Sequence, residues 1–195
     1  MSISAQQVAQ LRAQTGAGMM DAKMALEETG GDLEKAAEML RKKGIAKAAK
    51  KADRETHEGR VHAYIHSNGK LGALVEVLCE TDFVARTDAF IEFCNDLAMH
   101  ISASDPVYLT REQVPLELIE KEKEIYRAEM TAQAKPADVI EKITEGKLNK
   151  WFSESVLLEQ SYIKDEDKTI EDLLKERIAT LGENMQIRRF ARFTI

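Results

Sequence analysis

The chain is poor in the residue types from which catalytic and metal centres are built. Of its 195 residues only two are cysteines and four are histidines. Cys79 and Cys94 stand far from any C-x-x-C spacing, which speaks against a zinc site, and a chain of this size needs no disulfide framework. Both fall in apolar patterns, so buried reduced thiols are expected. His57, His62, His66 and His100 form no ligand cluster by sequence, and strand histidines facing solvent are the simple expectation. Three prolines and 44% hydrophobic residues exclude a disordered chain. Aromatics reach 6% against 32% charged residues, the balance of a soluble, helix-rich protein. No run of about 18 apolar residues occurs, so no membrane span is expected. Met1-Ser2-Ile3-Ser4 lacks the basic region and apolar run of a signal peptide, and the cytoplasm is the expected location. The net charge of −6 weighs against nucleic acid as a direct partner, because phosphate binding wants an excess of Lys and Arg. P-loop, G-x-G-x-x-G, G-x-S-x-G and H-E-x-x-H patterns are missing. Gly16-Ala17-Gly18 is too short to cradle phosphates and follows no strand. No catalytic residue, metal ligand or cofactor is therefore assigned, which favours a non-catalytic binding protein over an enzyme.

What is present is organised around Glu80-Thr81-Asp82-Phe83-Val84-Ala85-Arg86, where a strand pattern ends and a helix pattern begins. Upstream, three short helices are predicted. Ser4 and Gln7 form a capping-box start for the first, with Val8 and Leu11 on its apolar face. Met19 or Met20 opens the second, with Met20, Met24 and Leu26 near one side. Asp32 caps the third, which Gly44 is expected to close. Residues 1–54 thus read as a small helical domain and basic linker. Arg41, Lys42, Lys43, Lys47, Lys50, Lys51 and Arg54 make that linker either an electrostatic contact or a solvated, alanine-rich helix.

Residues 55–195 read as an α+β core domain. Val61, Ala63 and Ile65 alternate with His62, Tyr64 and His66. Asn68-Gly69 then predicts a type I′ hairpin turn. The return strand, Leu71 to Glu80, carries apolar residues on both faces and is expected to be covered on both, one cover being a second copy of the chain. A helix from Val84 to Ser102 follows, with Phe90, Phe93, Leu97 and Ile101 on its apolar face. Thr110 and Gln113 are expected to cap a long charged helix, with Val114, Leu118, Ile125 and Met130 inward, and Pro136 to open the next. Residues 165–168 read as loop, and Met185 to Ile195 as a closing strand. The predicted fold is a three-helix bundle followed by a small antiparallel sheet packed with helices. At the central stretch two readings stand side by side. Thr81 or Asp82 caps a helix while Phe83 packs as a hydrophobic staple, or Asp82 and Phe83 project into a partner.

Thr15-Gly16-Ala17-Gly18-Met19-Met20-Asp21-Ala22-Lys23, Ala25-Leu26 and Gly31-Asp32 resemble the N-terminal signature of the translation elongation factor Ts family. Thr81-Asp82-Phe83-Val84-Ala85 is similar to the family's second signature, and Gly146-Lys147 and Ile187-Arg188-Arg189 also fit. The resemblance implies a nucleotide exchange factor for the GTPase elongation factor Tu. It implies a first domain like ubiquitin-associated (UBA) domains and an α+β dimerisation core. It assigns Thr81, Asp82, Phe83 and Val84 to dislocation of the partner's Mg²⁺, and Arg12, Met19 and Met20 to partner binding. Longer members carry a second core subdomain, a protruding coiled coil and a C-terminal module. This chain ends just after the closing strand, like short members that pair with themselves, and a homodimer in a two-plus-two complex is expected. The family's frequent Cys-Lys after the Asp is Ala22-Lys23 here. Two other functions fit parts of the sequence: a UBA-like adaptor without exchange activity, and an RNA-associated factor using residues 41–54.

Overall fold

The computed structural model describes residues 3–133 and 135–195. Its architecture is α+β: a helical bundle followed by a small antiparallel sheet and further helices. The chain divides into two compact units. The first takes the chain up to Val61, then Glu76–Cys94 and Asp172–Arg188; the second takes His62–Val75, Asn95–Glu171 and Arg189–Ile195.

In the first unit α1 (Ala5–Thr15), α2 (Met19–Glu28) and α3 (Leu33–Ala49) form the bundle. The Ser4 hydroxyl accepts the Gln7 N–H, and the Gln7 side chain accepts the Ser4 N–H, completing the capping box. Gly16 ends α1 at φ +66°, a conformation open to a residue without Cβ. The Asp32 carboxylate accepts the Lys35 N–H at 3.1 Å and starts α3. Val8, Leu11, Ala22, Ala25, Leu26 and Ala36 make the core. Two features depart from the sequence pattern. The buried side of α2 is Ala22, Ala25 and Leu26, while Met20 and Met24 face solvent. Small residues let the helices close up and leave no room for the long side chains. Second, α3 passes through Gly44. A Cβ there would stand 3.4 Å from the Cβ of Ala179, so this glycine serves close approach rather than termination. Ala179 lies on α8 (Ile170–Leu181), whose Asp172 pairs with Arg41 at 3.3 Å. The bundle, whose core is small, thus leans on α8.

Strands β1 (Glu58–Ile65), β2 (Leu71–Cys79) and β5 (Met185–Thr194) form a sheet in the order β1-β2-β5. The Ile195 N–H donates to the Lys70 carbonyl at 3.0 Å, so the end of β5 meets the start of β2, antiparallel. The first hairpin differs from its expected form. Gly69 has φ +66°, but Asn68 does not have positive φ, and the Gly69 N–H donates to the His66 carbonyl at 2.8 Å. The loop is longer than two residues, so it closes with an ordinary turn followed by a left-handed glycine. β2 buries Ala73, Val75, Val77 and Cys79 and turns Leu74 outward. On its other face only Leu74 is exposed, while Glu76 and Leu78 are half-buried. Register with β2 also inverts the expected sides of β1: His62 and Tyr64 are half-buried, and Val61 and Ile65 are exposed. On β5 the inward positions change parity after Ile187, leaving Arg188 and Arg189 both exposed.

Gly59, at φ +151°, lies so close to β2 that a Cβ would sit 2.2 Å from the Val77 carbonyl oxygen. Gly59→Ala is expected to lower stability by about 1–3 kcal/mol through forced backbone movement, read from urea unfolding midpoints. An unchanged midpoint would show that β1 shifts freely.

The single helix expected from Val84 is two helices, α4 (Asp82–Ala85) and α5 (Asp88–Ser104). The Thr87 hydroxyl accepts the Phe90 N–H at 3.2 Å and restarts the helix. Phe90, Phe93, Leu97 and Ile101 on α5 are fully buried. Burial of each such side chain contributes about 1.5–3 kcal/mol.

In the second unit α6 (Leu116–Ala132) and α7 (Ala137–Ser155) pack as a helical pair, so two long paired helices belong to this chain too. Val114, Leu148, Phe152 and Val156 form their core, with Leu118, Tyr126 and Trp151 packed against it. Ile125 is half-exposed rather than inward. Thr110 and Gln113 do not cap α6. A 3-10 turn, Arg111–Gln113, intervenes, and the Gln113 side chain accepts the Leu109 N–H. The start falls at Pro115, which locks its own φ. β3 (Ser161–Tyr162) and β4 (Asp165–Thr169) pair as an antiparallel hairpin where loop was expected, since polar residues can form a solvent-exposed ladder without an apolar signal.

His100 is fully buried, with Nε2 2.9 Å from the Gln160 Oε1. Burial lowers its pKa below the ordinary 6.5, opposed by the Gln160 hydrogen bond. The unfolded chain therefore takes up the proton first. Stability is full above about 6.5 and falls as pH drops toward the folded value. Urea midpoints at about pH 7.5 and 5.5 should differ, and His100→Gln should narrow that difference. An equal difference in both proteins would assign the effect to other groups.

Candidate partner-binding site

The central stretch forms a tight projecting turn. Thr81 is extended, with φ −130° and ψ 154°, and its hydroxyl accepts the Val84 N–H at 3.4 Å as the cap of α4. Cap formation is thus seen, but the staple is not: Phe83 is 80% exposed and fills no pocket of its own chain. Asp82 is held by Arg86 at 2.9 Å, one turn along. Val84 is half-buried and Ala85 buried, which roots the turn. Phe83 therefore stands on a short, capped base with a carboxylate beside it.

Arg12, Met19 and Met20 flank the corner between α1 and α2. The Arg12 Nε donates to the Ala17 carbonyl at 3.2 Å and stiffens that corner. Met19 and Met20 are 61% and 66% exposed, flexible thioether side chains suited to an adaptable apolar contact.

Residues that periodicity did not single out hold the Phe83 turn from below. The Glu183 carboxylate accepts the N–H groups of Glu80 and Thr81 at 3.1 and 3.0 Å, and the Thr81 hydroxyl at 2.6 Å. The Glu80 carboxylate accepts the Asn184 N–H at 2.5 Å and approaches the Arg54 guanidinium at 3.4 Å. The Asn184 amide donates to the carbonyls of Ala52 and Arg54 at 3.2 and 2.7 Å. The sole sequence signal was an acid–amide pair between a glycine at a helix end and an apolar strand.

Among the described residues other reactive groups are held neutral or paired. Burial pushes the Cys79 thiol up to about 11 and that of Cys94 to about 12, so both stay protonated and unreactive. Among the described residues no three His, Cys, Asp or Glu side chains could hold a metal ion, and no helix is long and apolar enough to cross a membrane. Much of the basic linker is matched by carboxylates: Arg41–Asp172, Lys42–Glu38, Lys43–Glu28, Lys47–Asp21 and Arg54–Glu80. That pairing reduces the free positive charge available to phosphates.

The fold is that of a mixed helix-and-sheet protein, on which Phe83, Met19 and Met20 are large apolar side chains left exposed. A sequence model of the family described as "Elongation factor TS" matches residues 4–178. The chain is 58% identical to the elongation factor Ts of Geobacter sulfurreducens over 195 residues, all of this chain and 90% of that protein. It is also 58% identical to those of Thermosipho melanesiensis and Fervidobacterium nodosum, covering 98% and 99% of their lengths. The chain belongs to the elongation factor Ts family.

Proposed function

We propose that the chain is a guanine-nucleotide exchange factor for elongation factor Tu, acting in the cytoplasm during translation elongation. It binds the GDP-bound GTPase, displaces Mg²⁺ and promotes GDP release so that GTP can bind. The observation that carries this reading is the 80% exposure of Phe83 at the tip of a turn capped by Thr81. GDP is held partly through Mg²⁺, which bridges phosphate and protein oxygens. Phe83 supplies apolar volume that shifts a partner element, and Asp82 disturbs charge and hydrogen bonding around the ion. Thr81 and Val84 hold the tip. Arg12, Met19 and Met20 grip the partner from the UBA-like module, residues 1–54, while residues 55–195 form the dimerising core. The factor performs no covalent chemistry and needs no cofactor. By linkage, nucleotide and factor weaken each other's binding by the same ratio.

A homodimer, and so a two-plus-two complex, is supported by the outward side of the sheet. Ile65, Leu74, Phe193 and Ile195 are exposed there and line a cleft of about 250 Å³. Release of fluorescent GDP from elongation factor Tu, followed by stopped flow, tests the function. Substoichiometric factor should accelerate release. Binding without acceleration would favour an adaptor, and no binding would overturn both.

A further inference from the structure

We propose that Glu183 and Asn184 are positioning residues of the exchange wedge: they lock the Phe83 turn and the linker of the helical module to one point. The inference rests on the reading of Phe83 as the wedge.

A wedge transmits force only if its base does not yield. Here the base is slight, since α4 is four residues long and Phe83 makes no core contact. Glu183 supplies the missing stiffness. One of its oxygens accepts two successive backbone N–H groups, from Glu80 and Thr81, and the other accepts the Thr81 hydroxyl. With its proton committed to Glu183, that hydroxyl turns a lone pair toward the Val84 N–H. A single carboxylate therefore sets both the backbone of the turn and the orientation of its cap. Hydrogen bonds to an ionised acceptor are the stronger kind.

The clasp is reciprocal. Glu80, at the root of the wedge, accepts the backbone N–H of Asn184, and the Asn184 side chain donates to the carbonyls of Ala52 and Arg54. Arg54 closes the loop by approaching Glu80. Residues 52–54 continue from α3, the last helix of the bundle that bears Arg12, Met19 and Met20. Two adjacent residues before β5 thus fix the wedge and the exit of the gripping module together. Lys51 completes the charge balance. Burial and nearby Arg54 lower its pKa, while Glu80 and Glu183 hold it up.

Glu183→Gln tests this, because it keeps the side chain's size but removes the charge and leaves one acceptor oxygen where the carboxylate uses two, so the three donors can no longer all be held as they are. The maximal rate of GDP release should fall about tenfold, as expected when a reacting geometry loosens, with half-saturation moving less than about twofold. Hydrogen exchange at the amides of Glu80 and Thr81 should quicken in the free factor. The variant combined with Phe83→Ala should be no slower than Phe83→Ala alone, since Glu183 acts through that side chain. Slow release by Phe83→Ala with a wild-type rate for E183Q would overturn the positioning role and leave the wedge standing. Additive losses in the double variant would overturn it too, by making Glu183 merely structural. A wild-type rate for Phe83→Ala would instead remove the wedge itself. If E183Q does not fold, Glu80→Gln, which weakens the clasp from its other side, is judged by the same rates and the same double variant.

Discussion

Phe83→Ala should leave the protein as stable as the wild type and remove most of its power to release GDP from elongation factor Tu. The first half follows from exposure. A side chain 80% open to water makes no core contact whose loss could be felt, so the unfolding midpoint should shift by less than about 0.5 kcal/mol equivalent. The second half follows from where such a residue stands in a complex. A rigid aromatic that enters a partner's pocket is the usual form of a binding hot spot, and its truncation costs about 2 kcal/mol or more, roughly thirtyfold. In the proposed mechanism Phe83 works on the nucleotide site rather than on attachment, so the loss should appear mainly in the maximal release rate. Stopped-flow traces with excess variant check this. A full wild-type rate would sink the wedge role.

The second large effect concerns assembly. The variant Ile65→Asp/Phe193→Asp should convert the proposed dimer to a folded monomer. Both residues are exposed in the single chain, at 68% and 65%, so the substitutions remove no core packing. In a dimer that covers this side of the sheet, each would bury an unpaired carboxylate, a change costing several kcal/mol apiece. Dissociation should then strengthen by at least about a thousandfold, since every 1.4 kcal/mol is tenfold. Sedimentation equilibrium at micromolar concentration should show twice the 21.9 kDa chain mass for the wild type and the chain mass for the variant. A monomeric wild type, or a dimer that survives both charges, would overturn the dimer.

The parts of this fold that sequence shows well are those governed by local chemistry. Ser4, Gln7 and Asp32 announce helix starts because their side chains satisfy the free N–H groups of a first turn. Glycine was ambiguous: Gly16 does end a helix, whereas Gly44 lies inside one, beside Ala179 of a distant segment. Nothing near Gly44 in sequence reveals that neighbour. The sidedness of β1 escapes the sequence pattern for a related reason. Alternation shows that a strand has two sides, but pairing with β2 decides which is buried. At the candidate site, the signature residues 81–84 were evident and the exposure of Phe83 was one of two open readings. The Glu183 and Asn184 clasp was not visible, because it bridges about a hundred residues through backbone groups common to every residue type.

The order β1-β2-β5 leaves the sheet with two open edges, and an open edge is a template on which other chains can aggregate. β5 answers this with a break in its alternation, where Arg188, paired with Glu76 at 2.9 Å, and Arg189 are exposed in succession as the inward parity changes. A further strand approaching that edge meets an interrupted alternation. The same irregularity thus makes that edge a poorer template for a further strand.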